Sequence, residues 1–208
     1  MSLRLFVVRH GATEWSSARR FAGSRDIPLS EDGRRQCEAV ARALAESRPA
    51  AVWASPLERA RTSAEILTKP HRLPVRLDGA FREMGFGQWE GLTREEVAAR
   101  FPREWEAWRT SPTAVTAPDG ESVAAVAARV AAGLEALRSQ HDGQTVILVS
   151  HAMVIRLLVL DALGLDLDRL WTVEATPGGI SELEYRKDWV TLHRMNTLAH
   201  LEEAEVVP

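Results

Sequence analysis

The run Leu5-Phe6-Val7-Val8-Arg9-His10-Gly11 constrains this chain more than any other stretch. Four large apolar residues in a row, two of them β-branched, require burial on both faces, which is the pattern of a strand inside a helix-covered parallel sheet. The run stops at an arginine, a histidine and a glycine. In open α/β sheets, ligands bind beyond the carboxyl ends of the strands, so Arg9 and His10 stand where a ligand is expected. They combine a permanent cation with a side chain able to act as nucleophile, base or acid near neutral pH. Gly11 allows a sharp turn or a close approach of backbone just after the histidine.

The design recurs at Thr145-Val146-Ile147-Leu148-Val149-Ser150-His151. If the two strands are parallel neighbours, both imidazoles emerge at one sheet edge. Between them, Ala51-Val52-Trp53-Ala54 reads as another strand, followed by Ser55-Pro56 as a helix start with the serine hydroxyl as N-cap. Arg59 then falls about one turn into a helix leaving a strand end. With Arg9 and the two histidines it would complete a cationic cup suited to a phosphoryl group.

Elsewhere strands and helices alternate in the βαβ manner. Strands are expected over 3–8, 51–54, 74–77, 145–149, 179–185 and 189–194, and helices over 30–47, 57–68, 121–138 and 152–163. The helix over 121–138 carries one apolar stripe, Val123, Val126, Val130, Leu134 and Leu137. The fold class implied is α/β, a three-layer α/β/α sandwich around a mostly parallel sheet. The whole chain, 1–208, reads as a single domain, with the less regular segment 79–119 inserted over the site. The acidic tail after Leu198 is expected to be partly mobile.

Composition narrows the partners. A net charge of −3 offers no general attraction to nucleic acid or membranes. The one cysteine, Cys37, excludes an internal disulfide and a cysteine-based metal cluster; it reads as a small buried hydrophobe on a helix. No apolar stretch approaches the ~20 residues that span a bilayer. The first strand begins so near residue 1 that no signal peptide is expected, which points to the cytoplasm.

Six motifs in order make the chain resemble the histidine phosphatase superfamily, in the branch related to cofactor-dependent phosphoglycerate mutase. They are Arg9-His10-Gly11-Ala12-Thr13-Glu14-Trp15, Pro28-Leu29-Ser30-Glu31-Asp32-Gly33, Ser55-Pro56-Leu57-Glu58-Arg59-Ala60, Arg82-Glu83-Met84-Gly85-Phe86-Gly87-Gln88-Trp89-Glu90-Gly91, Gly120-Glu121-Ser122 and Ser150-His151. The resemblance implies a phosphoglycerate mutase-like fold and a phosphohistidine mechanism. It makes His10 the nucleophile, Arg9, Arg59 and His151 the phosphate ligands, and Glu83 the general acid and base. Ser16 and Ala152 occupy positions that line the phosphate side of the pocket. No metal and no cofactor are implied, since two guanidiniums and two imidazoles supply the neutralising charge.

Some residues depart from the family pattern. Many members carry Asn at Ser16, Gln at Ala22, and two glycines where Ala152 and Met153 follow His151. A somewhat less polar pocket is expected. Glu83 competes with Glu90, Glu95 and Glu96, and only the motif selects it. Arg61 and Glu58 read as surface charges, and the tryptophans of 79–119 as packing, with Trp89 open to either role. The leading function is a phosphomonoesterase acting on a small phosphorylated metabolite, as a monomer or homodimer. The alternative is a phosphoglycerate mutase, although Arg82–Gly91 has the phosphatase form. A non-catalytic phospho-ligand module would be expected to have lost His10 or Glu83.

Overall fold

The computed structural model describes residues 2–202. Six strands form one sheet: β1 (Leu3–Arg9), β2 (Ala51–Ala54), β3 (Val75–Leu77), β4 (Gln144–Ser150), β5 (Ile180–Tyr185) and β6 (Val190–Thr197), in the spatial order β3-β2-β4-β1-β5-β6. The first four neighbours run parallel, while β5 pairs antiparallel with β1 and β6 antiparallel with β5 along one edge. This is the mostly parallel α/β sheet that the apolar runs predict.

Strand alternation divides the core in two. Leu3, Leu5 and Val7 of β1 point to one face, where they meet α6 (Val123–Gln140) and α7 (Ala152–Leu163). Phe6 and Val8 point to the other, against α2 (Glu31–Ala43) and α3 (Glu58–Leu67). The α6 stripe, Val123 to Leu137, is buried at every expected position. Ser30 caps α2, accepting a hydrogen bond from the Gly33 N–H at 3.1 Å.

Register places the site. β1 and β4 pair in parallel with Arg9 opposite Ser150, and the His10 N–H donates to the Ser150 carbonyl at 3.0 Å. His10 and His151 therefore leave the sheet side by side, as the matched strand ends require.

Two segments rise over that edge. The first follows β1 and holds the short helix α1 (Glu14–Ser17); the second follows β3 and holds α4 (Arg94–Arg100) and α5 (Pro102–Thr110). They are joined where the Phe21 N–H donates to the Leu92 carbonyl at 2.9 Å and Arg20 bonds both the Gly91 carbonyl and Glu96. Trp89 is wholly buried there among Phe21, Phe101, Trp105 and Trp108, so its role is packing.

One expectation is corrected. Ser55 does not cap a helix: α3 starts at Glu58 behind Leu57, without a side-chain cap. The Ser55 hydroxyl is buried at the strand end and taken up by His151 instead. Of the acidic tail, Ala199–Glu202 forms a last helical turn, α8; the rest lies outside the described residues.

Candidate active site

His10 is 4% exposed and held at both ring nitrogens. Nδ1 lies 2.7 Å from the Gly11 carbonyl, an acceptor, so that nitrogen carries the hydrogen. Nε2 then keeps a lone pair, and it accepts from Arg59 Nε at 3.3 Å. Burial, then the charges of Arg59 and Arg9, hold the His10 pKa well below its ordinary value. The ring is neutral at pH 7.

Gly11 itself is held from behind. Its N–H donates to Ser63 Oγ at 3.2 Å, and the Ser63 hydroxyl donates to the Arg59 carbonyl at 2.7 Å. A side chain on Gly11 would collide with the Gly33 carbonyl, and one on Gly33 with the Ala12 carbonyl. The turn after the histidine is thus seated directly on the first turn of α2, which explains both glycines of the motifs.

Arg59, 1% exposed, is set by carbonyls: Nη1 donates to Arg25 at 2.7 Å and Nη2 to Gly23 at 2.8 Å. That loop is fastened by Glu90. Its Oε1 accepts from the Ser24 N–H at 2.8 Å and from the Phe86 N–H at 3.1 Å, and Oε2 lies 3.3 Å from Arg25 Nε. Glu90 consequently holds the loop that orients Arg59, rather than competing with Glu83.

Arg9 donates from Nη1 to the Ala175 carbonyl at 2.6 Å, and burial lowers its pKa to about 10, so it stays cationic. Its Nε is buried without a partner among the described residues. Glu83 Oε1 accepts from the Met84 N–H at 3.0 Å and the Met153 N–H at 3.3 Å. Enclosure raises the Glu83 pKa in spite of Arg59 and Arg9 nearby. Such a carboxyl can carry a proton under conditions where ordinary glutamates have lost it.

His151 is fully buried, its ring 5.0 Å from that of His10 and edge-on to it. Nε2 lies 2.7 Å from Ser55 Oγ, which already accepts from the Leu57 N–H. When the serine hydroxyl donates to Nε2, the ring hydrogen sits on Nδ1. That nitrogen is buried and has no partner among the described residues.

Arg9, His10, Arg59 and Glu83 face a cavity of about 560 Å³, lined also by Ser16, Ala152 and Met153. The Ser16 hydroxyl is engaged with Thr13, accepting from its N–H at 2.8 Å and donating to its carbonyl at 2.9 Å. The outer wall is aromatic, with Phe86, Trp105, Trp108 and Trp171, but also strongly basic, with Arg19, Arg94, Arg109 and Arg156. The pocket is less apolar than the departures at Ala22 and Met153 suggest. Among the described residues no group of three or more His, Cys, Asp or Glu is placed to hold a metal ion.

The sequence pattern of the histidine phosphatase superfamily (branch 1) matches residues 5–198. The chain belongs to that superfamily. A phosphoserine phosphatase 1 of Hydrogenobacter thermophilus is 31% identical over 201 residues, covering 97% of this chain and 95% of its own. A probable phosphoglycerate mutase of Erwinia tasmaniensis is 30% identical over 211 residues, with 97% and 96% covered. Among solved structures, a mycobacterial glucosyl-3-phosphoglycerate phosphatase complexed with VO3 superposes with a TM-score of 0.86 at 30% identity, covering 93% of this chain and 99% of that one. The α/β architecture is thus the superfamily's.

In this histidine phosphatase the structure gathers His10, Arg9, Arg59, Glu83, Ser16 and Ala152 on one cavity, with His151 packed against His10. Sequence reasoning missed the duties of Ser55 and Glu90 and did not single out Arg156. Arg156 alone left a signal, since it follows Ala152 by one helical turn and so shares its face.

Proposed function

We propose that the cavity hydrolyses small phosphate monoesters through a phosphohistidine on His10. The observation that carries this reading is the fixed tautomer: a neutral imidazole that keeps its lone pair on Nε2, engaged only by the 3.3 Å contact from Arg59, because Gly11 binds the hydrogen on Nδ1. A neutral nucleophile escapes repulsion by the phosphate dianion. His10 Nε2 attacks phosphorus, the ester oxygen departs, and Glu83 gives it a proton. Water, deprotonated by Glu83, then attacks the phosphohistidine and frees His10 and inorganic phosphate. Arg9 and Arg59 stabilise the charge on the transferring oxygens, and His151 Nδ1 donates to one of them. That contact would satisfy an otherwise partnerless buried ring nitrogen, which supports the assignment.

The reading treats the chain as one catalytic domain with segment 79–119 as the wall of the cavity. Its substrates are small phosphorylated metabolites, the class that the names of the phosphatase relatives indicate. The rival is a mutase that retains the phosphoryl group for transfer. Phosphate release from simple esters, without a bisphosphorylated primer, is the deciving measurement. Steady release is expected; interconversion of phosphoglycerates far outpacing release would give the site to the mutase. Because charge neutralisation comes from arginine and histidine, turnover should also survive exhaustive EDTA treatment. Loss of activity restored by one specific metal would contradict the mechanism.

A further inference from the structure

We propose that Arg156 forms a second anion site in this cavity, selecting short phosphate esters that carry a carboxylate or a second phosphate. The proposal rests on the phosphatase reading of the same cavity and adds the substrate's second charge. The arginines facing the cavity are not equivalent. Arg9 and Arg59 flank His10, and Arg20 is occupied by Glu96 and the Gly91 carbonyl. Arg156 has no such duty and is nevertheless fixed in place.

Three contacts hold it. Its Nε donates to the Val173 carbonyl at 2.8 Å, its guanidinium lies 5.2 Å over the Trp171 ring, and its side chain is only 14% exposed. Among the described residues neither Nη makes a hydrogen bond. The nearest carboxylate, Glu174, is 3.9 Å away on a side chain that is 73% exposed, a pair that solvent largely screens. A guanidinium this enclosed costs free energy unless an anion meets it. The Val173 bond and the Trp171 stack use one edge and one face; the Nη edge is the fork that binds carboxylate or phosphate in a bidentate manner. Arg94 and Arg109 at the rim add positive potential on the way in.

Helix geometry sets the size of the ligand. Ala152 and Arg156 lie about one turn apart on α7, ~6 Å along its axis, and the charge of Arg156 acts on both Arg9 and Glu83. An anion on Arg156 therefore shares the cavity with a phosphoryl group at His10, which suits a compact ester carrying a second negative charge.

The test compares matched esters in wild type, Arg156→Met and Arg156→Lys. 3-Phosphoglycerate against glycerol 3-phosphate probes a carboxylate, and propane-1,3-diol bisphosphate against 3-hydroxypropyl phosphate probes a second phosphate. In wild type, kcat/KM is expected to favour the doubly anionic member of at least one pair by tenfold or more. Arg156→Met should reduce that preference to threefold or less, and Arg156→Lys should keep part of it. No preference in wild type, or the same factor lost on both members of a pair, would overturn the proposal; the second result would make Arg156 a structural strap. Should no ester be turned over, the phosphatase reading fails, and calorimetric binding of the same pairs still measures the preference. If circular dichroism shows the Met variant unfolded, the Lys variant decides: a preference equal to that of wild type would count against the guanidinium fork.

Discussion

Glu83 and Glu90 lie in the same motif and have separate duties. In the proposed reaction Glu83, with its raised pKa, gives a proton to the leaving oxygen, so Glu83→Gln should slow hydrolysis of alkyl phosphates by ~10²-fold or more. Phosphorylation by p-nitrophenyl phosphate should suffer much less, because nitrophenolate hardly needs a proton. Equal losses for both leaving groups in single-turnover phosphorylation would remove Glu83 from that role. The same carboxyl sets an alkaline limb: as pH rises through its raised pKa, alkyl ester turnover falls, and Glu83→Gln should lack that limb. Glu90 invites a different variant. Glu90→Ala leaves the Phe86 N–H without its acceptor, a loss of ~1–3 kcal/mol for a buried donor, and releases the exposed Ser24 N–H to solvent. It should also weaken vanadate binding, because the loop that supplies carbonyls to Arg59 loosens; unchanged vanadate affinity would contradict the clamp. From sequence alone Glu90 reads only as a competitor of Glu83, since both segments that it joins meet only in the folded chain.

Elements explain which features were legible. Apolar runs ending in histidine predict β1, β4 and their shared edge, because fully buried strands admit few alternatives. The α6 stripe is equally local. Ser55 is the opposite case: Ser-Pro at a strand end is a good cap signal, but β2 lies beside β4, and that pairing brings the hydroxyl to His151. Gly33 likewise reads as an ordinary first-turn residue until the turn after His10 is seen seated on it. Gly33→Ala would force the Ala12 carbonyl away, at ~1–3 kcal/mol for overpacking. Because Gly11 moves with that turn, activity should fall along with the melting temperature. Activity retained within twofold in a destabilised Gly33→Ala protein would show that the turn does not position His10.

For the whole molecule, the buried site makes stability sensitive to acid. Burial lowers the pKa of both His10 and His151, so below pH ~6.5 the unfolded chain binds protons that the folded one refuses. Stability therefore falls as pH drops through 6.5 towards the folded-state values. Glu83 acts with the opposite sign, since its raised pKa lets the folded state keep a proton above the usual carboxylate range. Denaturant unfolding between pH 7 and 5 should show the net decline, and His10→Gln should make it shallower; an unchanged slope would mean that His10 is not held neutral. The central claim is covalent, and rapid quenching of wild type during turnover of a ³²P-labelled ester tests it directly. The account predicts acid-labile, alkali-stable label on the peptide that contains His10, and neither label nor turnover in His10→Ala. Label on another residue, or His10→Ala activity within tenfold of wild type, would contradict it.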